Sequence, residues 1–121
     1  MTETQFRKLA LSFPEVVESE HMNHPDFRAG GKIFASLGYP GKGWGMVKLS
    51  PQEQKEFMKR APAGVFVPCA GMWGKRGATS VWLDEVDATE ARKAMRLAWE
   101  NVKGNSQSIL RKRTGRAGGA V

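Results

Sequence analysis

Three residues in the first quarter of the sequence have side chains that bind metals or transfer protons. His21 and His24 are separated by two residues, and Asp26 follows His24 after one more. A metal site needs three or four well-spaced ligands, and no cysteine or second group of ligands accompanies these three residues. We therefore interpret the two histidines as surface or loop residues and predict no metal site.

Other residues that could act in catalysis lack the neighbours that catalysis requires. Cys69 is the single cysteine, and no nucleophile motif surrounds it, so a buried structural cysteine is the better interpretation. The glycine-rich segment 71–77 has neither the spacing of a phosphate-binding loop nor a helix after it. Glu18 and Glu20 lie in an acidic segment that we expect to be an exposed turn. The sequence thus predicts a protein that is not an enzyme and has no cofactor.

Two glycine-rich segments, 38–43 and 69–78, combine basic with aromatic side chains. These side chains belong to Tyr39, Lys42, Trp73, Lys75 and Arg76. Basic side chains neutralise phosphates, and aromatic rings stack on bases. Each segment separates two predicted strands, and a two-stranded hairpin can enter a duplex groove. The alternative for the second segment is that Trp73 folds back onto the core while its basic neighbours are only solvated.

The C-terminal segment concentrates positive charge. The chain has 19 Lys and Arg residues against 12 Asp and Glu residues, a net charge of +7. Residues 105–121 contain no acidic residue and four basic ones, Arg111, Lys112, Arg113 and Arg116. We predict a domain over residues 1–104 and a flexible basic tail over residues 105–121. Such an excess of positive charge is consistent with binding to nucleic acid, and a solvated basic terminus is the alternative.

Length and composition indicate one globular domain. A chain of 121 residues can bury a core without disulfides or metals. No apolar run approaches the roughly 20 residues that cross a bilayer, and residues 1–5 do not resemble the start of a signal peptide. We therefore expect no membrane association. A single cysteine cannot form an internal disulfide, which fits the reducing environment of the cytoplasm.

Three capping boxes mark the starts of predicted helices. In this pattern, Thr, Ser or Asp is followed three residues later by Gln or Glu, and the two residues satisfy free N–H groups of the first helical turn. The pattern begins at Thr2, Ser50 and Asp87. The predicted helices cover residues 2–13, 50–60 and 87–102, with Gly104 just beyond the last one.

Apolar and β-branched runs predict strands between these helices. They cover residues 19–22, 26–29, 31–37, 44–49, 65–68 and 79–83. Strands joined by short loops pair antiparallel, and three helices suffice to cover one face of such a sheet. The order α-β-β-β-β-α-β-β-α therefore predicts a two-layer α+β domain, with the helices mainly on one face and the other face at least partly open.

The central hairpin, residues 31–49, places two kinds of side chain on opposite faces. Because alternate residues of a strand share a face, Ile33, Ala35 and Leu37 are predicted to face the core. The opposite set consists of Phe34, Ser36, Trp44, Met46 and Lys48, with Trp82 from the last strand. An exposed patch of Phe34, Trp44, Met46 and Trp82 would mark an interface for a protein partner or a second copy of the chain. A pocket for a small ligand beside this patch is a third interpretation.

Five short motifs occur in a characteristic order along the chain. They are Pro25-Asp26-Phe27-Arg28, Gly31-Lys32-Ile33-Phe34-Ala35, Val47-Lys48-Leu49, Phe66-Val67-Pro68, and Trp73-Gly74-Lys75-Arg76-Gly77 before the strand 79–83. In this order the sequence resembles the MmcQ/YjbR family over roughly residues 3–102. The resemblance implies a frataxin-like α+β domain. It also implies DNA binding, in which two hairpins act as a double wing. The basic tail from Asn105 is longer than the family pattern.

Together these patterns predict a non-enzymatic DNA-binding protein. The residues expected to contact DNA are Arg28, Lys42, Lys48, Trp73, Lys75, Arg76, Arg111, Lys112 and Arg113. The cations of the two loops and of the open sheet face would contact phosphates. Trp73 would stack on a base or insert between bases, and the basic run 111–113 would wrap around the backbone.

Overall fold

The structure is a computed structural model that describes the backbone of residues 1–114 and the side chains of residues 1–103. Within this part of the chain there are six strands and four helices. In order they are α1 (Glu3–Leu11), β1 (Val16–His21), β2 (His24–Ala29), β3 (Lys32–Leu37), β4 (Trp44–Lys48), α2 (Pro51–Arg60), β5 (Phe66–Pro68), α3 (Gly71–Lys75), β6 (Ala78–Trp82) and α4 (Ala88–Thr114).

Capping boxes begin the first two helices, as predicted. The Thr2 hydroxyl accepts a hydrogen bond from the Gln5 backbone N–H, and the Gln5 side chain accepts one from Thr2. Ser50 and Glu53 repeat this exchange at the start of α2. At the start of α4 the Asp87 carboxylate accepts from two backbone N–H groups of the first turn. Local hydrogen bonding therefore fixes where these helices begin.

Replacing Ser50 by alanine should lower the free energy of unfolding by about 1 kcal/mol, because the Glu53 N–H loses its acceptor. Urea unfolding monitored by circular dichroism measures this change. Ser50→Asp keeps an acceptor at the cap and should stay close to the wild type. Equal stability of the alanine variant and the wild type would contradict a stabilising cap.

The six strands form one antiparallel sheet in the order β1-β2-β3-β4-β6-β5. Helices α1, α2 and α4 contribute to the main core on one face of this sheet. Its largest fully buried side chains include Phe6, Phe27, Phe34, Phe57, Leu83 and Met95. The predicted two-layer α+β fold with three helices on one face is confirmed.

Helix α3 lies on the opposite face of the sheet, which we call the open face. Strands β5 and β6 pair antiparallel, as predicted for a second hairpin. The predicted long loop at its end is instead a helical turn, and Trp73 of this turn packs against a second buried cluster of Met46, Cys69 and Ala78. The expectation of a free basic loop is therefore wrong for this segment, because an apolar indole is more stable on the sheet than in water.

A β-bulge in β3 exchanges the predicted faces of two residues. Phe27 of β2 pairs with Ala35, and the next residue, Arg28, pairs with Ile33, so Phe34 has no partner in β2. One extra residue reverses the alternation of the residues before it. Phe34 is consequently buried in the main core beside Ala35, while Ile33 packs on the open face against the second cluster. The prediction that Phe34 is exposed and Ile33 is in the main core is wrong.

Helix α4 continues past its predicted end near Val102 and reaches Thr114. A single glycine such as Gly104 weakens a helix by only about 1 kcal/mol relative to alanine, so it does not by itself end one. The side chains of residues 104–121 and the backbone of residues 115–121 lie outside the described residues. No helix in the described part of the chain has the length and apolar character needed to cross a bilayer.

Candidate functional site

A groove of about 630 Å³ lies at the end of the sheet where β3 begins and β4 ends. Four of its lining residues are cationic, namely Arg28, Lys32, Lys48 and Arg76, and its other lining residues are uncharged. We call it the basic groove. Because β2, β4 and the segment after α3 all reach this end of the sheet, the fold brings together cations that are far apart in sequence.

Backbone contacts hold Arg76 close to Lys48. The Leu49 N–H donates to the Gly77 carbonyl at 3.3 Å, and the Gly77 N–H donates to the Gly74 carbonyl at 3.0 Å. The Lys48 ammonium lies 6.0 Å from the centroid of the Trp73 ring, at the outer limit of a cation–π contact. One wall of the basic groove is thus built from the end of β4 and the residues that follow α3.

Two carboxylates touch residues of the basic groove. Asp26 is fully buried, and the Arg28 guanidinium donates to it with Nε at 2.8 Å. This contact lowers the pKa of the Asp26 carboxyl and raises the pKa of Arg28. The Glu53 carboxylate accepts from the Ser50 N–H and the Asn101 amide. The Asp26 carboxylate therefore balances the positive charge of Arg28.

The other three cations of the basic groove are not compensated in the same way. Among the residues whose side chains are described, Lys32, Lys48 and Arg76 form no salt bridge. Lys32 and Arg76 are exposed and Lys48 is half-buried. Uncompensated cations that line one concave surface focus a positive potential that attracts anions.

The structure brings together some of the residues predicted to contact DNA and separates others. Arg28, Lys48 and Arg76 line the basic groove. Lys42 and Lys75 are exposed, and neither is among the residues that line it. Trp73 is half-buried and does not line the basic groove, but it lines a smaller cavity with Lys48 and Arg76. The side chains of Arg111, Lys112 and Arg113 lie outside the described ones.

Lys32 is the groove residue that sequence reasoning missed as a site residue. It is the first residue of β3 and directly follows the Gly30-Gly31 turn. A lone lysine at a strand end has no pattern that distinguishes it from a solvated one. Only the tertiary arrangement places it beside Arg28, Lys48 and Arg76.

The two predicted loops meet on the open face through their aromatic residues. Tyr39 of the β3–β4 loop lies with its ring centroid 6.1 Å from that of Trp73. A cavity of about 300 Å³ opens beside this pair, lined by His21, Met22, His24, Ser36, Tyr39 and Trp73. We call it the ring cavity. The Trp73 indole also lines a smaller cavity of about 240 Å³, together with Lys48 and Arg76 of the basic groove.

The four residues of the predicted apolar interface do not form a common surface. Phe34 is on the helix-covered face, and Met46 is fully buried as a member of the second cluster. Trp44 and Trp82 are paired across β4 and β6 with ring centroids 5.0 Å apart, and both are half-buried. The prediction of a four-residue patch is therefore wrong for Phe34 and Met46.

The histidines predicted to be surface or loop residues lie at the ends of β1 and β2. His21 and His24 are a cross-strand pair, and the His21 Nδ1 is 2.7 Å from the Asp26 Oδ2. Cys69 is buried with its Sγ 3.4 Å from the Ser80 hydroxyl, and burial raises the pKa of its thiol. In the described residues no three His, Cys, Asp or Glu side chains are placed to hold a metal ion together.

Comparisons with known proteins agree with this architecture. The family model described as YjbR matches residues 11–101, which is more than half of the chain. A crystal structure of the Deinococcus radiodurans protein DR2400, with its DUF419 domain, is similar with a TM-score of 0.71 and 18% sequence identity. The likeness covers 84% of this chain and 78% of that one, and it shows the shared fold. A search of curated proteins gave no significant match. The family match places the chain in the YjbR family.

Proposed function

We propose that this protein is a non-enzymatic nucleic-acid-binding protein that holds the DNA phosphate backbone in the basic groove. The observation that carries the proposal is the set of four cationic side chains around one groove whose other lining residues are uncharged. Duplex DNA carries about one negative charge per 1.7 Å of helix axis, so a groove lined by several cations can contact more than one phosphate. Binding of this kind gains free energy from the release of counterions that were condensed on the nucleic acid.

The neighbourhood of the basic groove favours contacts to phosphates over contacts to base edges. Lys32, Lys48 and Arg76 reach the groove from three separate segments, so they can follow a backbone but do not form a single element that enters a duplex groove. We therefore expect binding with little sequence preference. Lys42 and Lys75 would add weaker contacts outside the basic groove, and the basic run 111–113 would add further contacts to phosphates.

Replacing Arg76 or Lys48 by glutamine should weaken binding to every DNA sequence about equally. Each substitution removes one phosphate contact, so the slope of log affinity against log salt should fall by about one unit. Fluorescence anisotropy of a labelled duplex across a range of salt concentrations measures both quantities. Because Arg76 and Lys48 are on the surface of the groove, neither variant removes a core side chain.

Lys59→Gln is the matched control for these variants. Lys59 is exposed on α2 and is not among the residues that line the basic groove, so the same charge is lost at a different place. Its affinity and salt slope should remain close to those of the wild type. Equal losses from Lys59→Gln and Arg76→Gln would mean that binding follows net charge alone, which would contradict the assignment of the basic groove.

A protein–protein interface is the competing function. It would depend on Trp44 and Trp82, the two residues of the predicted patch that remain partly accessible. If Lys48→Gln and Arg76→Gln bind DNA as the wild type does, the basic groove is a solvated surface and this competing function takes precedence.

A further inference from the structure

The ring cavity contains none of the cations of the basic groove, and Trp73 links it to a small cavity that two of those cations, Lys48 and Arg76, also line. Four of its six lining residues, His21, His24, Tyr39 and Trp73, have ring side chains. Its volume of about 300 Å³ is at the lower end of the range for small-molecule sites, roughly 300–1,000 Å³. A small planar ligand is therefore the kind of occupant whose size and shape fit this cavity.

His21, which lines the ring cavity, is held by a buried partner. Asp26 is fully buried, is held as a carboxylate by Arg28, and accepts a hydrogen bond from the His21 Nδ1–H at 2.7 Å. In the neutral imidazole this bond places the proton on Nδ1 and leaves Nε2 as an acceptor. Nucleobases carry N–H donors on their Watson–Crick edges, so a base that enters the ring cavity and reaches this atom can donate to it.

The Trp73 indole separates the ring cavity from the cations of the basic groove. It lines the ring cavity with Tyr39, and it also lines the smaller cavity with Lys48 and Arg76. A nucleotide presents its base and its phosphate at opposite ends of one sugar. A base in the ring cavity would therefore contact the same indole that borders two cations of the basic groove.

From this juxtaposition we propose that the ring cavity binds one unpaired base of a single DNA strand whose backbone lies in the basic groove. The proposal rests on the proposed function and specifies its ligand. In a duplex the bases are stacked and paired, and drawing one out is energetically unfavourable. A single strand avoids this penalty and gains base–aromatic stacking. The protein should accordingly prefer single-stranded DNA to a duplex of equal charge.

The test compares three probes at one salt concentration. They are a short oligothymidylate, a deoxyribose–phosphate strand of the same length without bases, and a duplex. Thymine has an N3–H that can donate to the His21 Nε2. The wild type should bind oligothymidylate about 5- to 150-fold more tightly than the abasic strand, the range expected for stacking of one base. Tyr39→Leu should abolish most of this difference and leave the affinity for the abasic strand unchanged.

Two further variants and a melting experiment distinguish the loss of base stacking from the loss of a charge and from unfolding. Tyr39→Phe keeps the ring against Trp73 and should retain the preference for oligothymidylate. Lys48→Gln should weaken the binding of all three probes by a similar factor, because it removes a phosphate contact. Thermal melting of Tyr39→Leu shows whether the variant remains folded, and the comparison of probes on the wild type does not depend on any variant.

Each other outcome contradicts a specific claim. If the wild type binds the abasic strand as tightly as oligothymidylate, the ring cavity does not take a base, and the proposed function still stands. If thymidine monophosphate binds as tightly as oligothymidylate, the occupant is a free nucleotide and not a strand, and this proposal is wrong. If none of the probes binds at low salt, the proposed function itself fails, and this proposal fails with it.

Discussion

Replacing Gly77 by alanine should lower the free energy of unfolding by about 3–5 kcal/mol. Gly77 has a φ of +113°, a backbone conformation that side chains rarely permit. A Cβ at this position would overlap the carbonyl oxygen of Leu49 and lie 2.8 Å from the carbonyl carbon of Ser50. Both neighbours are backbone atoms at the junction of β4 and α2. Strained backbone and overpacking are each worth about 1–3 kcal/mol, and both apply here.

Two other glycines provide matched controls for the Gly77 substitution. Gly71 also has a positive φ, +71°, but a Cβ there would meet no atom within 4 Å. Gly71→Ala should therefore cost only the conformational part, about 1–2 kcal/mol. Gly41 has neither a positive φ nor an atom within 4 Å of a Cβ added there, so Gly41→Ala should leave the free energy of unfolding almost unchanged. Denaturant midpoints at an unchanged m-value give these differences. If Gly77→Ala lowers the free energy of unfolding by no more than Gly71→Ala does, the backbone around Gly77 moves away from Leu49 and Ser50 without a measurable cost, and the expected overlap is contradicted.

The elements that sequence reasoning predicted well are those fixed by neighbours in the chain. Thr2 and Ser50 form capping boxes with residues three positions later, so the signal and the structure lie in the same short window. The hairpin of β3 and β4 follows in the same way from two apolar runs around a glycine-rich loop. Local patterns of this kind determine where elements are, and the order of the elements then determines the fold class.

Which side chains of a strand face the core was less predictable, because one inserted residue changes the predicted face of the residues on one side of it. A single bulge at Phe34 reverses the assignment of every earlier residue in β3. A bulge depends on pairing with β2, and no residue type in β3 marks it. The predicted interface failed at Phe34 for this reason, and it failed at Met46 because α3, distant in sequence, covers that residue.

The candidate site shows the same division between local and tertiary information. Arg28, Lys48 and Arg76 were predicted from their residue types and from the family resemblance, and the structure brings these three together. The contribution of Lys32, the compensation of Arg28 by Asp26, and the packing of Trp73 depend on contacts between separate segments. Charge and residue type suggested a class of ligand, and only the fold identified which cations share a surface.

The largest expected effect of a polar substitution is at Asp26. Its side chain is fully buried and accepts hydrogen bonds from Arg28 and His21. Asp26→Asn keeps the shape but loses the charge, and its amide N–H₂ would face one of the two donors. Breaking a fully buried ion pair costs about 3–5 kcal/mol. Since about a third of the Arg28 and His21 side chains is exposed, we expect a loss of about 2 kcal/mol.

The pH dependence of this loss follows from the lowered pKa of Asp26. Its hydrogen bonds with Arg28, and secondly with His21, outweigh burial and hold the pKa of the folded protein below its ordinary value. Between the two pKa values the unfolded chain binds more protons, so stability rises with pH there. The contribution of Asp26 should be complete above about pH 5, roughly one unit above the ordinary pKa of aspartate. It should disappear as the pH falls through the pKa of the folded state.

Urea unfolding of the wild type and of Asp26→Asn at a series of pH values measures this contribution directly. The stability difference between the two proteins should be constant above about pH 5 and shrink in more acidic solution. Repeating the pair on a His21→Asn background removes the neighbouring imidazole while keeping a donor near the position of Nδ1. A stability difference that stays the same from neutral to strongly acidic solution would show that the charge of Asp26 does not stabilise the fold. The ion pair that orients both Arg28 in the basic groove and His21 in the ring cavity would then be dispensable.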